Sequence, residues 1–144
     1  MTPVPIAEAA NRFRKVIESL QADQLEVLSE AFTPDAHFKD PFNDVTGREA
    51  IVRVFAHGYK NCPNLRFVVD EMAFVPDTRV VFFYWRFLCG APSDLRLVGA
   101  SRVVFDDEGL VVDHVDYWDP AEQLYSQVPV LGALLRWVRG RLSA

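Results

Sequence analysis

The chain has 144 residues, half of them hydrophobic and 24% charged, with a net charge of −5 and a pI near 5.1. That size and composition suit one globular domain with one core. The acidic balance excludes an extended nucleic-acid surface, which is ordinarily basic. The N-terminal MTPVPIAEAANRF has no basic segment followed by an apolar one, so no signal peptide is expected. No run approaches the roughly 18 apolar residues that span a bilayer. Cys62 and Cys89 lie in no C-x-x-C or Cys/His metal spacing and are expected to be two reduced thiols of a cytoplasmic protein.

In chain order, two prolines precede a predicted helix whose apolar face is Ala9, Phe13, Val16, Ile17 and Leu20. Leu25, Leu28 and Phe32 suggest a short second helix. Thr33-Pro34-Asp35 reads as a turn, and Ala36–Lys39 as a short strand ended by Asp40-Pro41. Thr46 and Glu49 have capping-box spacing before a helix turning Ile51, Phe55 and Tyr59 inward. A meander of long strands follows: Leu65–Phe74, Arg79–Cys89, Leu95–Phe105 and the strand opening at Leu110, with a hairpin loop at Gly90-Ala91-Pro92-Ser93. Strands joined by short loops should pair antiparallel. The segment 120–144 reads as a C-terminal helical extension, interrupted near Pro129, with an apolar stripe of Leu131, Leu134, Leu135, Val138 and Leu142. The order defines a single α+β domain over 1–144, helices packed on one face of a curved antiparallel sheet.

The stretch LVVDHVDYWDP, Leu110–Pro120, carries the strongest chemical signal. Period-2 alternation puts Leu110, Val112, His114, Asp116 and Trp118 on one face. An imidazole and a carboxylate thus stand together among large apolar groups, where burial is costly without partners.

The pieces LSEAFTPDAHFKDPFNDVTGREAIVRVF and GLVVDHVDYWDP, in this order and spacing, resemble the nuclear transport factor 2-like superfamily. That group includes ketosteroid isomerases, SnoaL-type polyketide cyclases and limonene-epoxide hydrolases. The resemblance, over roughly Ile6–Asp119, implies a cone whose bent sheet and N-terminal helices enclose a small-molecule pocket; fold alone does not fix the chemistry. It also implies roles by position. Asp40 falls on the general base of the isomerases. Val16 stands at their helix-1 tyrosine and Ser101 at their second oxyanion donor. Val115–Asp119 resembles the last-strand motif of the epoxide hydrolases, with Asp116 the matching carboxylate, whereas Tyr84-Trp85-Arg86 displaces their arginine and lacks their second carboxylate. His114 and Asp116 are the residue types that the cyclases use for proton transfer.

From these alignments Val80, Phe82, Tyr84, Arg86 and Leu88 are expected to face the cone with His114 and Asp116, making Arg86 the counter-ion of Asp116. The expected catalytic residues are Asp40, Asp116 and His114. Tyr84, Arg86, Ser101, Trp118, Phe13 and Val16 are expected to contact an apolar, carbonyl-containing substrate. Asp40 has a structural alternative, capping the loop into FNDVTG. No metal site and no cofactor are expected, since there is neither a dinucleotide fingerprint nor a P-loop.

Phe83, Trp85 and Phe87, with Val98, Ala100, Val104, Val111, Val115 and Tyr117, are assigned to the outer sheet face, where they would form a homodimer surface. The C-terminal helix is expected to close the pocket mouth or, alternatively, to contact a membrane surface through its stripe, Trp137 and three arginines. Two functional classes follow. One is an isomerase, cyclase or dehydratase working by carboxylate acid/base chemistry. The other is a non-catalytic ligand-binding or interaction module of the same fold.

Overall fold

The computed structural model describes residues 2–90, 94–125 and 128–143. Two helices, α1 (Ile6–Glu18) and α2 (Leu25–Glu30), lead into strand β1 (Phe32–Lys39) and its short partner β2 (Asp44–Thr46). Helix α3 (Arg48–Asn61) precedes β3 (Arg66–Phe74), β4 (Val80–Cys89), β5 (Leu95–Phe105) and β6 (Val111–Tyr117). Helices α4 (Pro120–Gln123) and α5 (Pro129–Leu142) close the chain. The strands form one curved sheet in the order β2-β1-β6-β5-β4-β3. All neighbours are antiparallel except β1 and β6. Their parallel pairing carries the chain from the first strand across to the last. Of the expected hairpin loop, Ala91-Pro92-Ser93 lies outside the described residues.

The core sits between this sheet and the helices. Phe13 of α1 is its pivot. Its ring meets Phe32, Phe83 and Phe105 edge-on at centroid distances of 5.8, 5.8 and 6.0 Å, the favoured geometry for aromatic pairs. Ala9, Phe13 and Leu20 of the expected α1 face are buried, Val16 and Ile17 half-buried. Glu18 ties the helix to the sheet by accepting the Val69 N–H at 3.0 Å.

Two local expectations are corrected. β1 begins at Phe32 rather than Ala36. Phe32 pairs with Val111 and His37 with Asp113, so residues 33–36 of β1 stand against residue 112 alone. Thr33-Pro34-Asp35 is therefore a bulge within a strand, one of the few sheet positions that tolerate proline. The Thr46–Glu49 capping box does not form. Thr46 belongs to β2, and the N-cap is Gly47 with φ +98° and no side-chain cap. The Gly47 N–H bonds the Ala36 carbonyl at 2.8 Å, a geometry a β-carbon would strain.

The largest correction concerns β4. Val81, Phe83 and Trp85 are buried on the inner face, whereas Phe82, Tyr84 and Arg86 point outward. Arg86 is not the counter-ion of Asp116. It forms a bidentate pair with Asp70 on β3, at 2.7 and 2.9 Å, and this bond holds the Asp70 carboxyl below its ordinary pKa. VVFFYWRFLC is apolar at both parities, so alternation alone does not say which side is in. Val111 is likewise inward and fully buried. β5 and β6 shift register between Val104 and Phe105, and that irregularity resets the alternation before His114. The outer face exposes Phe82 and Tyr84 beside Val98 and Tyr117, of which only the last two were expected there.

Cys62 and Cys89 are joined by a disulfide rather than left as two thiols. Twenty-seven residues apart, they meet because α3 ends beside the end of β4. Purified without reductant, the chain should show no titratable thiol, and Cys62→Ser/Cys89→Ser should lose about 3 kcal/mol of unfolding free energy. Two thiols titrating in the folded protein would contradict the bond.

Candidate functional site

Three adjacent strands bring the polar groups together. Ser101 on β5 is the register partner of Asp116 on β6, and Val103 is the partner of His114. Trp85 on β4 pairs with Gly99 on β5. From there the indole reaches along the inner face, and its N–H donates to Ser101 Oγ at 2.7 Å. An indole only donates, so the Ser101 hydroxyl must turn its own hydrogen onward. It donates to Asp116 Oδ1 at 2.5 Å. His114 Nε2 stands 2.6 Å from the same oxygen, and donor–acceptor matching puts the ring proton on Nε2.

The result is a directed chain, Trp85 to Ser101 to Asp116, with His114 converging from the other side. Asp116 Oδ1 receives both bonds, and Oδ2 has no hydrogen bond among the described residues. Ser101 and His114 are buried, while the Asp116 side chain keeps 17% of its surface accessible. His114 Nδ1 has no partner among the described residues. Its ring is enclosed by Phe13, Phe32 and Phe38, at centroid distances of 5.7, 6.2 and 5.0 Å.

Asp116 lines two adjacent cavities on the inner side of the sheet. The inner one is about 30 Å³, room for one water or a single oxygen-bearing group. Its polar walls are Ser101, His114, Asp116 and Arg14. The outer one is about 390 Å³ and mostly apolar, within the usual range for a small-molecule site. Phe55, Phe67, Trp85 and Asp116 border both. Asp40, Trp118, His57 and the Cys62–Cys89 pair lie around the outer space.

The residues expected at the site divide accordingly. His114, Asp116, Ser101 and Phe13 meet at the inner cavity. Trp118 lines the outer one, and Val16 packs against the core without reaching either. Tyr84 and Arg86 are on the opposite side of the sheet. Asp40 borders the outer cavity, but its carboxylate is occupied. Oδ1 accepts from the Phe42 and Asn43 N–H groups at 2.8 and 2.7 Å and from Asn43 Nδ2 at 3.0 Å. This is the loop-capping alternative. Asp119, at the end of the same motif, caps α4.

Arg14 escapes the sequence reading. Its Nε is buried without a hydrogen bond among the described residues, and its Nη1 is a loose 3.9 Å from Glu18 Oε1. A signal for it existed: Arg14 shares a face of α1 with Ile17, three residues on, beside Phe13. Trp85 was noticed but assigned to the wrong face. His37 gains a context absent from sequence: Asp113 and Asp44 each bond its ring at 2.6 Å. Those bonds, Asp113 first, raise its pKa above the ordinary value. This cluster lies apart from the two cavities and fastens β1 to its two neighbours.

A curved six-stranded sheet with helices over a polar cluster defines the nuclear transport factor 2-like class of α+β proteins. Within it, the match of residues 13–114 to the SnoaL-like domain model shows that the chain belongs to the SnoaL-like family. No curated protein matches it. Among solved structures it is similar to a presumptive SnoaL-like polyketide cyclase from Shewanella putrefaciens CN-32, at 15% identity and TM-score 0.68 over 88% of each chain. TerC co-crystallised with polyporic acid is similar at 16% identity and TM-score 0.67, over 83% of this chain and 95% of that one. An NTF2-like protein of unknown function from Cytophaga hutchinsonii matches at 12% identity and TM-score 0.63, over 84% and 96%.

Proposed function

We propose that the chain is a cofactor-independent enzyme of isomerase, cyclase or lyase type that moves a proton next to a carbonyl in an apolar substrate. The observation that carries this reading is the state of Asp116. One oxygen is pinned by two donors, the other has no hydrogen bond among the described residues, and the residue lines both cavities. A carboxylate so oriented can take a proton from a carbon beside a carbonyl. The C–H pair then forms the new C=C bond, and the carbonyl π pair moves onto oxygen. Arg14, which lines the inner cavity, is the group available to stabilise that oxygen. His114 orients the base through its Nε2–H. Asp40 holds the loop at the cavity rim. That TerC was crystallised with polyporic acid supports a small organic ligand for this fold.

α-Proton exchange of 2-tetralone in deuterated water, followed by NMR, tests the reading without knowledge of the natural substrate. The wild type should accelerate exchange. Asp116→Asn should lose on the order of 10²–10⁴ of that acceleration while still binding the ketone. Undiminished exchange in Asp116→Asn would remove the carboxylate mechanism. Binding without exchange in the wild type would favour a ligand-binding module.

The homodimer is proposed on the corrected outer face, where Tyr84 and Tyr117 flank Ala100 across three strands. Light scattering of Tyr84→Glu should report a monomer where the wild type is a dimer. An unchanged dimer would place the interface elsewhere. The cytoplasmic assignment sits against the disulfide, which oxidising compartments favour.

A further inference from the structure

Helix α5 is apolar and cationic, and it makes no extended contact with any other described element. Its stripe does not close the cavity mouth as expected. Leu131 and Leu135 are half-buried and Gly132 buried, but Val130, Leu134, Trp137 and Leu142 are 84, 54, 59 and 82% exposed. Val130, Leu134, Trp137 and Val138 recur at helical spacing, so the exposed groups share one side of the helix. Three arginines accompany them and no acidic residue does, in a chain whose net charge is −5. Arg141 lies one turn past Trp137 with its guanidinium carbon 4.9 Å from the ring centroid. A cation stacked on an indole at the border of an apolar face suits an interface between hydrocarbon and charged headgroups. No described helix is long and apolar enough to cross a membrane.

We infer that α5 docks on an anionic phospholipid surface, lying in the interface with Leu134 and Trp137 inserted and Arg141 among the headgroups beside them, while Arg136 and Arg139 add positive charge from the far side of the helix. Charge complementarity selects this occupant. The helix presents three positive charges without a counter-charge of its own, whereas a second copy would bring the same arginines to face them. The position of the helix gives the docking a use. Leu124 lines the outer cavity, and Tyr125 packs on Phe42 at 6.1 Å beside Trp118, just before the chain enters α5. Docking through α5 therefore brings the cavity rim near the bilayer, where apolar molecules concentrate. The inference about α5 does not require catalysis.

Co-sedimentation of the full chain with phosphatidylglycerol-containing vesicles, against pure phosphatidylcholine vesicles, tests it. The wild type should bind the anionic vesicles more tightly by on the order of 10–100-fold, and added salt should weaken the binding. Trp137→Glu should abolish it and, separately, Arg141→Glu should weaken it by about 10-fold or more, each with an unchanged thermal melt, because these side chains are exposed. A wild type that stays in the supernatant would overturn the inference, as would variants that sediment as the wild type does. So would a wild-type dimer that does not bind vesicles and that Trp137→Glu turns into monomers, since a second copy would then cover the face.

Discussion

The indole of Trp85 lies where a side chain on Gly99 would stand. A β-carbon at Gly99 would meet the ring atoms Cζ2 and Cη2 at 2.6 Å and the Tyr117 carbonyl at 3.0 Å, far inside ordinary contact. The missing side chain lets the ring lie flat across its neighbouring strand, and only from there does its N–H reach Ser101. Burying an indole N–H without a partner is costly, so the ring's position fixes the direction of the Ser101 hydroxyl. That in turn decides which oxygen of Asp116 is held and which is free. The cavity is bounded on one side by the same ring. One glycine and one tryptophan on adjacent strands therefore set both the shape of the site and its polarity.

The rest of the fold supports that arrangement from behind. Phe13 enters from α1 and closes the inner cavity against Phe83 and His114. The parallel β1–β6 pairing puts Phe38 opposite His114, completing the aromatic enclosure around Nδ1. The bulge after Phe32 and the irregularity at residue 112 bring buried Phe32, Val111 and His114 onto the same inner side. At the mouth, the disulfide joins α3 to β4 while Asp40 organises the loop beneath Trp118. A rigid, largely apolar enclosure containing one oriented carboxylate is well matched to proton transfer, where positioning and exclusion of water do most of the work.

Much of this was legible in the sequence. β5 falls on Leu95–Phe105 as read, because its alternation is clean and its boundaries are turns. His114 and Asp116 were placed together on one face by spacing alone, and the resemblance turned that face inward. The α+β order and the resemblance led to the SnoaL-like family. What the sequence hid has specific causes. β4 is apolar at both parities, so Trp85 and Arg86 were exchanged between faces, and with them the partner of Asp116. The partner of Arg86 is Asp70, a neighbour created by β3–β4 pairing that no local spacing encodes. Cys62 and Cys89 meet only after α3 and β4 are both in place. Arg14 looks like any surface residue of an amphipathic helix until the sheet curves over it.

The tautomer of His114 tests the central claim most directly, since the hydrogen-bond chain fixes it. Long-range ¹H–¹⁵N NMR at neutral pH should find His114 with its proton on Nε2, in a bond strong enough to slow exchange with water, and with Nδ1 bare. Replacing Trp85 by Phe should shift that resonance by releasing Ser101. A proton on Nδ1 with Nε2 bare, or a His114 signal unaffected by Trp85→Phe, would contradict the account.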